Sequence, residues 1–592
     1  MFLSTPGLDG PLLAAASAEA LDRSLGHPLE DGRPFSFRQL IALDESEHYP
    51  ESQLGALRDL GLHRYHIPAQ DGGALTSVQE LILLVQLLAR RDLSVAVAHS
   101  TTLLGSMTTW QAGTDAQRRA MQQRISRGQN VAFGLTERAH GSDVTANQVQ
   151  ADKVDGGWVL NGQKWLIANA NRSAAVTVYA RTDPRGGVRG FSLFLVDKEH
   201  ADQSSIRHLP KIPTLGLRAC DVSGIEFDNC FVPDTALVGQ QGAGLELATK
   251  GLYVTRTVCG GLALGAADTA LRVVTDFALT RQLYGGALVD IPHAQASLAE
   301  SFADLLVAES TTLTAARAMH VMPRQMSIWS AVVKYLVPET VEAMVSRLSA
   351  VLGARYFLRD EHWRGIFQKV YRDCGIISVF EGSSAVQLND IALQLGQLLR
   401  PPEHGSGAPQ DDSLFDLTAA LPAARLSDFD LSAHARDAAV SRLSQAAERL
   451  AGLQGDPTVA PGVVDALLES AHFLEGQLSR LRSAVAAHAS MADRSPEALG
   501  LARRFCLIHA GAAALLSWLD SRHGLHPALA AGEWLALGLD RLGAQLQPDS
   551  NQRTSPWTRP VLETLLEFHR TDRLFSLTAL NLAPGPDRDR TA

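Results

Sequence analysis

The hydrophobic period of this chain changes twice, and the double change constrains its fold more than any other feature. Through residues 1–128 apolar side chains recur at helical spacing, most clearly in SVQELILLVQLLARRDLSVAVAHSTTLLGSM (77–107), which follows the turn-rich break HIPAQDGG (66–73). Over 129–240 the pattern becomes short β-branched and aromatic runs cut by Gly, Asp, Asn and Pro: GWVLNGQKWLIANA, AAVTVYARTD, GFSLFLVDKE and GIEFDNCFVP. Helical spacing returns over 241–398. This order predicts an α+β protein with an N-terminal helical domain, a central β domain and a helical bundle, not alternating βαβ units. The Pro-, Gly- and Asp-rich LRPPEHGSGAPQDDS opens an expected linker over 399–430. Amphipathic stretches over 431–592, such as FLEGQLSRLRSAVAAHASMA, predict a further helical block.

At 592 residues the chain is too long for one core. A net charge of −10 gives no reason to expect nucleic acid or an anionic membrane as partner. The block from Leu421 onward carries 17 Arg and no Lys against 19 Asp plus Glu, which does not suit a DNA-binding surface. Only seven of the 53 basic residues are lysine, which reads as codon bias. Five scattered cysteines without a C-x-x-C pair fit a reduced compartment and no zinc, and His523 and His526 lack further metal-ligand partners. No run approaches 18 apolar residues and no leader pattern is visible, so a cytoplasmic protein without integral membrane contact is expected.

Two short stretches could carry chemistry. VAFGLTERAHGSDV (131–144) runs from an apolar strand into a polar turn whose hydroxyls and N–H groups could hold a polar ring edge or a phosphate; a plain hairpin turn is the alternative. VFEGSS (379–384) places Glu381 behind two apolar residues, as a surface charge or as a base. No G-x-G-x-x-G follows a strand and no P-loop is present.

With NGQKWLIANA (161–170), TRQLYGGAL (280–288) and YRDCGIISVFEGSSAVQ (371–387), the GLTERAHGSD stretch resembles the acyl-CoA dehydrogenase family in sequence, spacing and order over roughly residues 35–398. The resemblance implies a β-barrel-like central domain, FAD held between it and the helical bundle, and oxidation of an acyl thioester to the trans-2-enoyl thioester. It implies that Glu381 removes the α-proton, which requires a poorly hydrated carboxylate of raised pKa, with Val379 and Phe380 as its apolar surroundings. Phe133, Leu135, Thr136, Gly141, Ser142, Leu166, Ala168, Arg281, Tyr284, Gly353 and Ser383 match positions that hold the cofactor. Ser142, Tyr253, Arg256 and Gly382 match positions at the substrate, with Arg256 near the site's mouth. Arg281 matches an arginine that reaches the FAD of a neighbouring subunit, which implies a dimer or tetramer.

Departures accompany the resemblance. Leu166 and Ala168 in KWLIAN stand where relatives carry a Trp and a Thr whose hydroxyl bonds flavin N5. In AVLGARYF (350–357) only Gly353 survives of a glycine-rich FAD cradle, and Tyr253 replaces an acidic residue. The expected reaction is dehydrogenation of an acyl-CoA or acyl-carrier-protein substrate, with electrons passed to an electron-transfer flavoprotein. An acyl-CoA oxidase delivering electrons to oxygen, or a non-catalytic flavin-binding protein on the same scaffold, are the alternatives.

Overall fold

The computed structural model describes residues 11–400, 412–433, 436–548 and 555–585. The N-terminal helices are α1 (Pro11–Leu25), α2 (Phe37–Ser46), α3 (Glu51–Asp59), α4 (Val78–Arg91), α5 (Leu93–Ala112) and α6 (Asp115–Ser126). The apolar run at 77–107 is two helices, because Asp92 leaves helical geometry and its carboxylate caps α5 by accepting from Val95 N.

The central domain holds β1 (Val131–Gly134), β2 (Gln150–Val154), β3 (Gly157–Ala168), β4 (Ala175–Arg181), β5 (Phe191–Asp197), β6 (Ile206–Leu209), β7 (Val222–Pro233) and β8 (Leu237–Val238). They form one sheet in the order β6-β7-β3-β2-β4-β5-β8, with β1 pairing parallel to β4. The long antiparallel β3–β7 ladder shifts register between Trp165 and Ile167, leaving Leu166 outside it. β2 and β6, mixed in polarity and largely exposed, carry too little apolar alternation to be read from sequence.

The bundle comprises α7 (Gly244–Thr280), α8 (Pro292–Val321), α9 (Met326–Leu352), α10 (Ile366–Cys374), α11 (Ser384–Ala392) and α12 (Leu395–Leu398), with a small hairpin, β9 (Gln282–Leu283) and β10 (Gly286–Ala287), after α7. The central stretch of α7 is buried throughout. Gly265 allows α4 to approach, since a Cβ there would lie 2.3 Å from Gln86 O. The last block holds α13 (Leu443–Ala451), α14 (Val463–Ala487), α15 (Pro496–Ser521), α16 (Pro527–Ala530), α17 (Glu533–Leu546) and α18 (Thr558–Arg570).

Residues 401–411 of the expected linker lie outside the described residues. The part from 412 to 430 is built into the core: Leu414, Phe415, Leu426 and Phe429 are buried. Their backbone is tied down too, since Arg317 donates to Ser413 O and Leu417 N donates to Ser521 Oγ. α15, α17 and α18 pack on α8, so the bundle and the last block share one apolar cluster. Burying each large side chain there stabilises by about 1.5–3 kcal/mol.

Candidate active site

The turn from Phe380 to Ser384 links α10 to α11 through two unusual backbone conformations. Glu381 has φ 58° and Gly382 φ 100°. A non-glycine residue there stores on the order of 1–3 kcal/mol and persists only where its surroundings hold it. Here they do. Arg256 of α7 donates from Nε to Glu381 O at 3.1 Å. Lys334 of α9 and Gln387 of α11 both donate to Gly382 O, each at 3.1 Å. A Cβ on Gly382 would stand 2.5 Å from Gln387 Nε2, the movable end of a side chain, so it is the φ of 100° that calls for glycine after Glu381.

The Glu381 carboxyl faces inward. Its Oε2 is shut off from solvent and has no hydrogen-bond partner. Burial pushes its pKa up; the Thr255 hydroxyl, the Lys334 and Arg256 cations and the Cys259 thiol pull the other way without cancelling the rise. Val379 does not provide this dry environment as expected: it is 55% exposed, because the short turn points it away from the bundle, and Phe380 is half-buried. The enclosing residues instead come from α7 and α9.

Two other expectations change. Arg256 is not at an open mouth but buried behind the turn, with Asp390 3.5 Å from its Nη1. Tyr253, one turn earlier on α7, is also buried, edge-on to Phe429 with ring centroids 6.1 Å apart. Phe429, in the segment after residue 412, covers Tyr253, while the Glu381 turn and Asp390 of α11 cover Arg256.

The β-domain residues form a second group. Thr136 Oγ1 donates to Trp165 O at 2.8 Å, and Trp165 N donates to Thr136 O at 3.0 Å, which ties the end of β1 to β3. Leu166 sits beside this pair at φ 59° and is 46% exposed, an apolar side chain projecting from the bulge. Ala168 is half-buried two residues on. Leu135 O already accepts from Asn147 Nδ2 and Lys164 Nζ. The Phe133 side chain lies in a core cluster with Tyr179 and Phe191, so it does not face a ligand and leaves only its backbone for that role. Gly141 and Ser142 are exposed on the loop after β1, whose base is fixed by the buried Glu137–Lys164 pair at 2.8 Å.

The two groups meet through a docked loop. Leu217 N donates to Asp373 Oδ1, and Asp373 and Asp92 flank the buried Lys369 at 2.6 and 2.8 Å. The β domain thereby grips α10, the helix leading into the Glu381 turn.

A third group stands apart on the surface. Arg281 is exposed at the end of α7, Tyr284 is 99% exposed at the tip of the β9–β10 hairpin, and Gly353 ends α9 at φ 62°. Ser383 occupies the N-cap position of α11 but makes no side-chain cap bond.

Sequence reasoning missed Thr255, Cys259, Lys334 and Gln387. Thr255 and Cys259 lie four apart and share one helix face. Lys334 had a signal, a lone lysine inside the apolar run SAVVKYLV, set aside when the lysines were read as codon bias. Lys164, Lys334 and Lys369 are all buried.

Comparison with known proteins gives a consistent answer. Residues 38–129 match the acyl-CoA dehydrogenase N-terminal domain, 132–230 the middle domain and 242–396 the C-terminal domain. The chain is 27% identical over 347 residues to a probable acyl-CoA dehydrogenase, FadE25, of Mycobacterium tuberculosis, covering 58% of this chain and 87% of that one. It is 28% identical over 352 residues to the short/branched chain specific acyl-CoA dehydrogenase of Rattus norvegicus, covering 59% and 79%. Among solved structures, butyryl-CoA dehydrogenase from Megasphaera elsdenii superposes with a TM-score of 0.58 at 22% identity, over 65% of this chain and 97% of that one. The prolyl acyl carrier protein oxidase AnaB gives 0.59 at 20% identity, over 65% and 98%. Three consecutive domain matches and the shared fold agree: the chain belongs to the acyl-CoA dehydrogenase family of oxidoreductases and carries an additional C-terminal helical block.

Proposed function

We propose that the protein oxidises an acyl thioester across its α,β bond, with Glu381 as the base that takes the α-proton. The observation that carries this reading is the half-buried Glu381, whose Oε2 is shut off from solvent and free of partners, whose pKa is raised, and whose strained turn is held by three side chains. Glu342 Oε1 is also buried without a partner and its pKa is also raised, so the strained turn is what sets Glu381 apart. A carboxylate with an unused buried oxygen is poised to accept a proton, and the raised pKa makes it a stronger base.

FAD fits the β-domain group. The register shift leaves Leu166 outside the sheet ladder, so its backbone N–H can stand in for the hydroxyl that Ala168 lacks. Thr136, Leu135, Gly141 and Ser142 would line the ring edge and phosphates, and Arg281, Tyr284, Gly353 and Ser383 would complete the hold, the exposed Arg281 from a second copy. Bound there, FAD supplies a hydride acceptor. The chain's own contribution is to keep Glu381 dry and aimed, and to present backbone N–H groups of the turn to the thioester oxygen as charge develops on it.

The acyl carrier is CoA or a carrier protein, and the electron acceptor an electron-transfer flavoprotein. Ala168 favours keeping oxygen as a second acceptor, a reading to which the structural likeness to AnaB, an oxidase by name, lends support. Bleaching of the flavin by a panel of butyryl-, isovaleryl-, octanoyl- and palmitoyl-CoA without oxygen tests the first reading, and the rate of recolouring on admitting air separates the two. Purified protein that holds no FAD and takes up none would end both.

A further inference from the structure

We propose that the segment after α18, residues 573–583, is a clasp shut by carboxylates of α1, α7 and α8, with Glu309 as its pH-sensitive link.

The segment is held by its backbone. Phe575 N donates to Asp268 Oδ2 of α7 at 3.0 Å, Leu577 N to Glu309 Oε2 of α8 at 2.6 Å, and Ala583 N to Asp22 Oδ2 of α1 at 2.7 Å. Ser576 Oγ donates to Glu309 Oε1, and Asn581 donates from N and Nδ2 to Glu19 Oε1 at the water edge. Arg272 Nη2 donates to Arg573 O at 2.7 Å. Asp22, Asp268 and Glu309 are fully buried. So is Phe575, with the Arg272 guanidinium 4.0 Å from its ring centre and the Phe302 ring at 5.8 Å. Departure of the segment would strip these carboxylates of their donors and the helices of an apolar cover.

The three buried carboxylates differ in their counter-charges. Asp22 pairs with Arg90 and Arg91 of α4, and Asp268 with Arg90 and with Arg272 of its own helix. Glu309 is in no ion pair among the described residues. Facing it are Gln86 of α4, Asp268 of α7 (a like charge), and Ser576 and Leu577 of the segment. Cations packed on α8 are engaged elsewhere: Arg541 of α17 and Arg347 of α9 at Asp304, Arg317 at Gln79 and backbone carbonyls, and His569 of α18 at Asp276. A buried carboxyl without a counter-charge favours its neutral form, and burial pushes Glu309 up to about 7. The closed clasp suits the acid. Oε2 still accepts from Leu577 N, the new O–H turns to Ser576 Oγ, and that hydroxyl turns to Thr578 Oγ1 at 2.8 Å.

Opening the segment brings water to Glu309 and returns its pKa towards the usual 4.5. Well below that value the open and closed forms hold the proton alike. Between about 4.5 and 7 only the closed form holds it, so opening becomes easier as pH rises, and above about 7 the gain levels off. The clasp is tightest in acid and loosens towards neutrality.

Hydrogen exchange of the full-length protein, read by mass spectrometry on peptides covering 573–583 and corrected for the intrinsic pH dependence of exchange, measures this opening. From pH 5.5 to pH 7.5 protection should fall roughly twentyfold in wild type if the whole shift is released. It should stay level in Glu309→Gln, which mimics the protonated acid. At both pH values the segment should be less protected than the β3–β7 ladder, because it opens without unfolding the rest. Equal protection in the two places, or a wild-type profile that matches Glu309→Gln, overturns the proposal. If Glu309→Gln does not fold, Ser576→Ala decides. Without the donor to Oε1 the acid is favoured further, so the fall should move to higher pH, and an unshifted fall overturns the proposal.

Discussion

Arg256 and Glu381 are joined through backbone, not through opposite charges: the guanidinium Nε donates to the Glu381 carbonyl oxygen at 3.1 Å. Arg256 so holds the backbone of the turn, while its charge only moderates the rise that burial gives the carboxyl.

That arrangement makes Gly382→Ala a sharp test of the turn. The substitution sets a Cβ 2.5 Å from Gln387 Nε2 at φ 100°. A cost of about 1–3 kcal/mol is expected for the strained backbone alone. Flavin bleaching should fall at least tenfold as Glu381 is displaced, since about 1 Å of misplacement can cost on the order of a hundredfold. Stopped-flow bleaching and a thermal melt on the same preparation check both effects.

Phe429→Ala probes the segment that closes over Tyr253. Truncating a buried phenylalanine costs about 3–5 kcal/mol. Because Phe429 shares its cluster with α5 and α7, the loss should appear as a lower melting temperature of the whole protein. An unchanged melt would mean that this segment contributes nothing to the stability of the bundle.

A buried acid away from the turn sets a pH dependence of stability. Glu309 on α8 accepts from Ser576 Oγ and Leu577 N, yet burial pushes its pKa up to about 7. Between its unfolded value near 4.5 and about 7 the folded chain holds this proton and the unfolded chain does not, so the group's contribution falls as pH rises through that window and is flat above it. The accumulated loss is on the order of 3 kcal/mol. Glu309→Gln should remove this part of the slope, so the difference between variant and wild-type melting temperatures should grow in the variant's favour from pH 5 to pH 7. A constant difference would show that Glu309 titrates normally.

Oligomer and cofactor should be linked at Arg281. If it contacts the FAD of a second copy, Arg281→Ala removes a charge-assisted bond of about 1.5–3 kcal/mol and weakens FAD roughly ten- to a hundredfold. Equilibrium dialysis alongside sedimentation measures both, and a monomer with tight FAD would contradict the link.

The three-part fold and the E-G-S-S turn were legible because their signals are local. Period changes mark the domain edges, and the E-G-S-S turn places a carboxylate beside the one residue type that tolerates φ 100°. What encloses the Glu381 carboxyl was not legible. Thr255 and Lys334 reach the turn from helices far from it in sequence, and nothing local in α9 says which way Lys334 faces; Gln387 stands just after the turn, but its bond back to Gly382 O has no sequence signature. Residues 412–430 misled for the reverse reason: their turn-rich composition is that of a linker, while their few apolar side chains, Phe415 and Phe429 above all, are what the bundle buries.

The central claim is that Glu381 accepts the α-proton, and Glu381→Gln tests it most directly. The amide keeps size and hydrogen bonding but cannot take the proton. The variant should bind FAD and acyl-CoA as well as wild type, and its anaerobic flavin bleaching should slow by at least ~10²–10⁴-fold, the contribution of a positioned base. Glu381→Asp should fall between the two. Bleaching of Glu381→Gln within tenfold of wild type, by the acyl-CoA that reduces wild type fastest, would contradict the account.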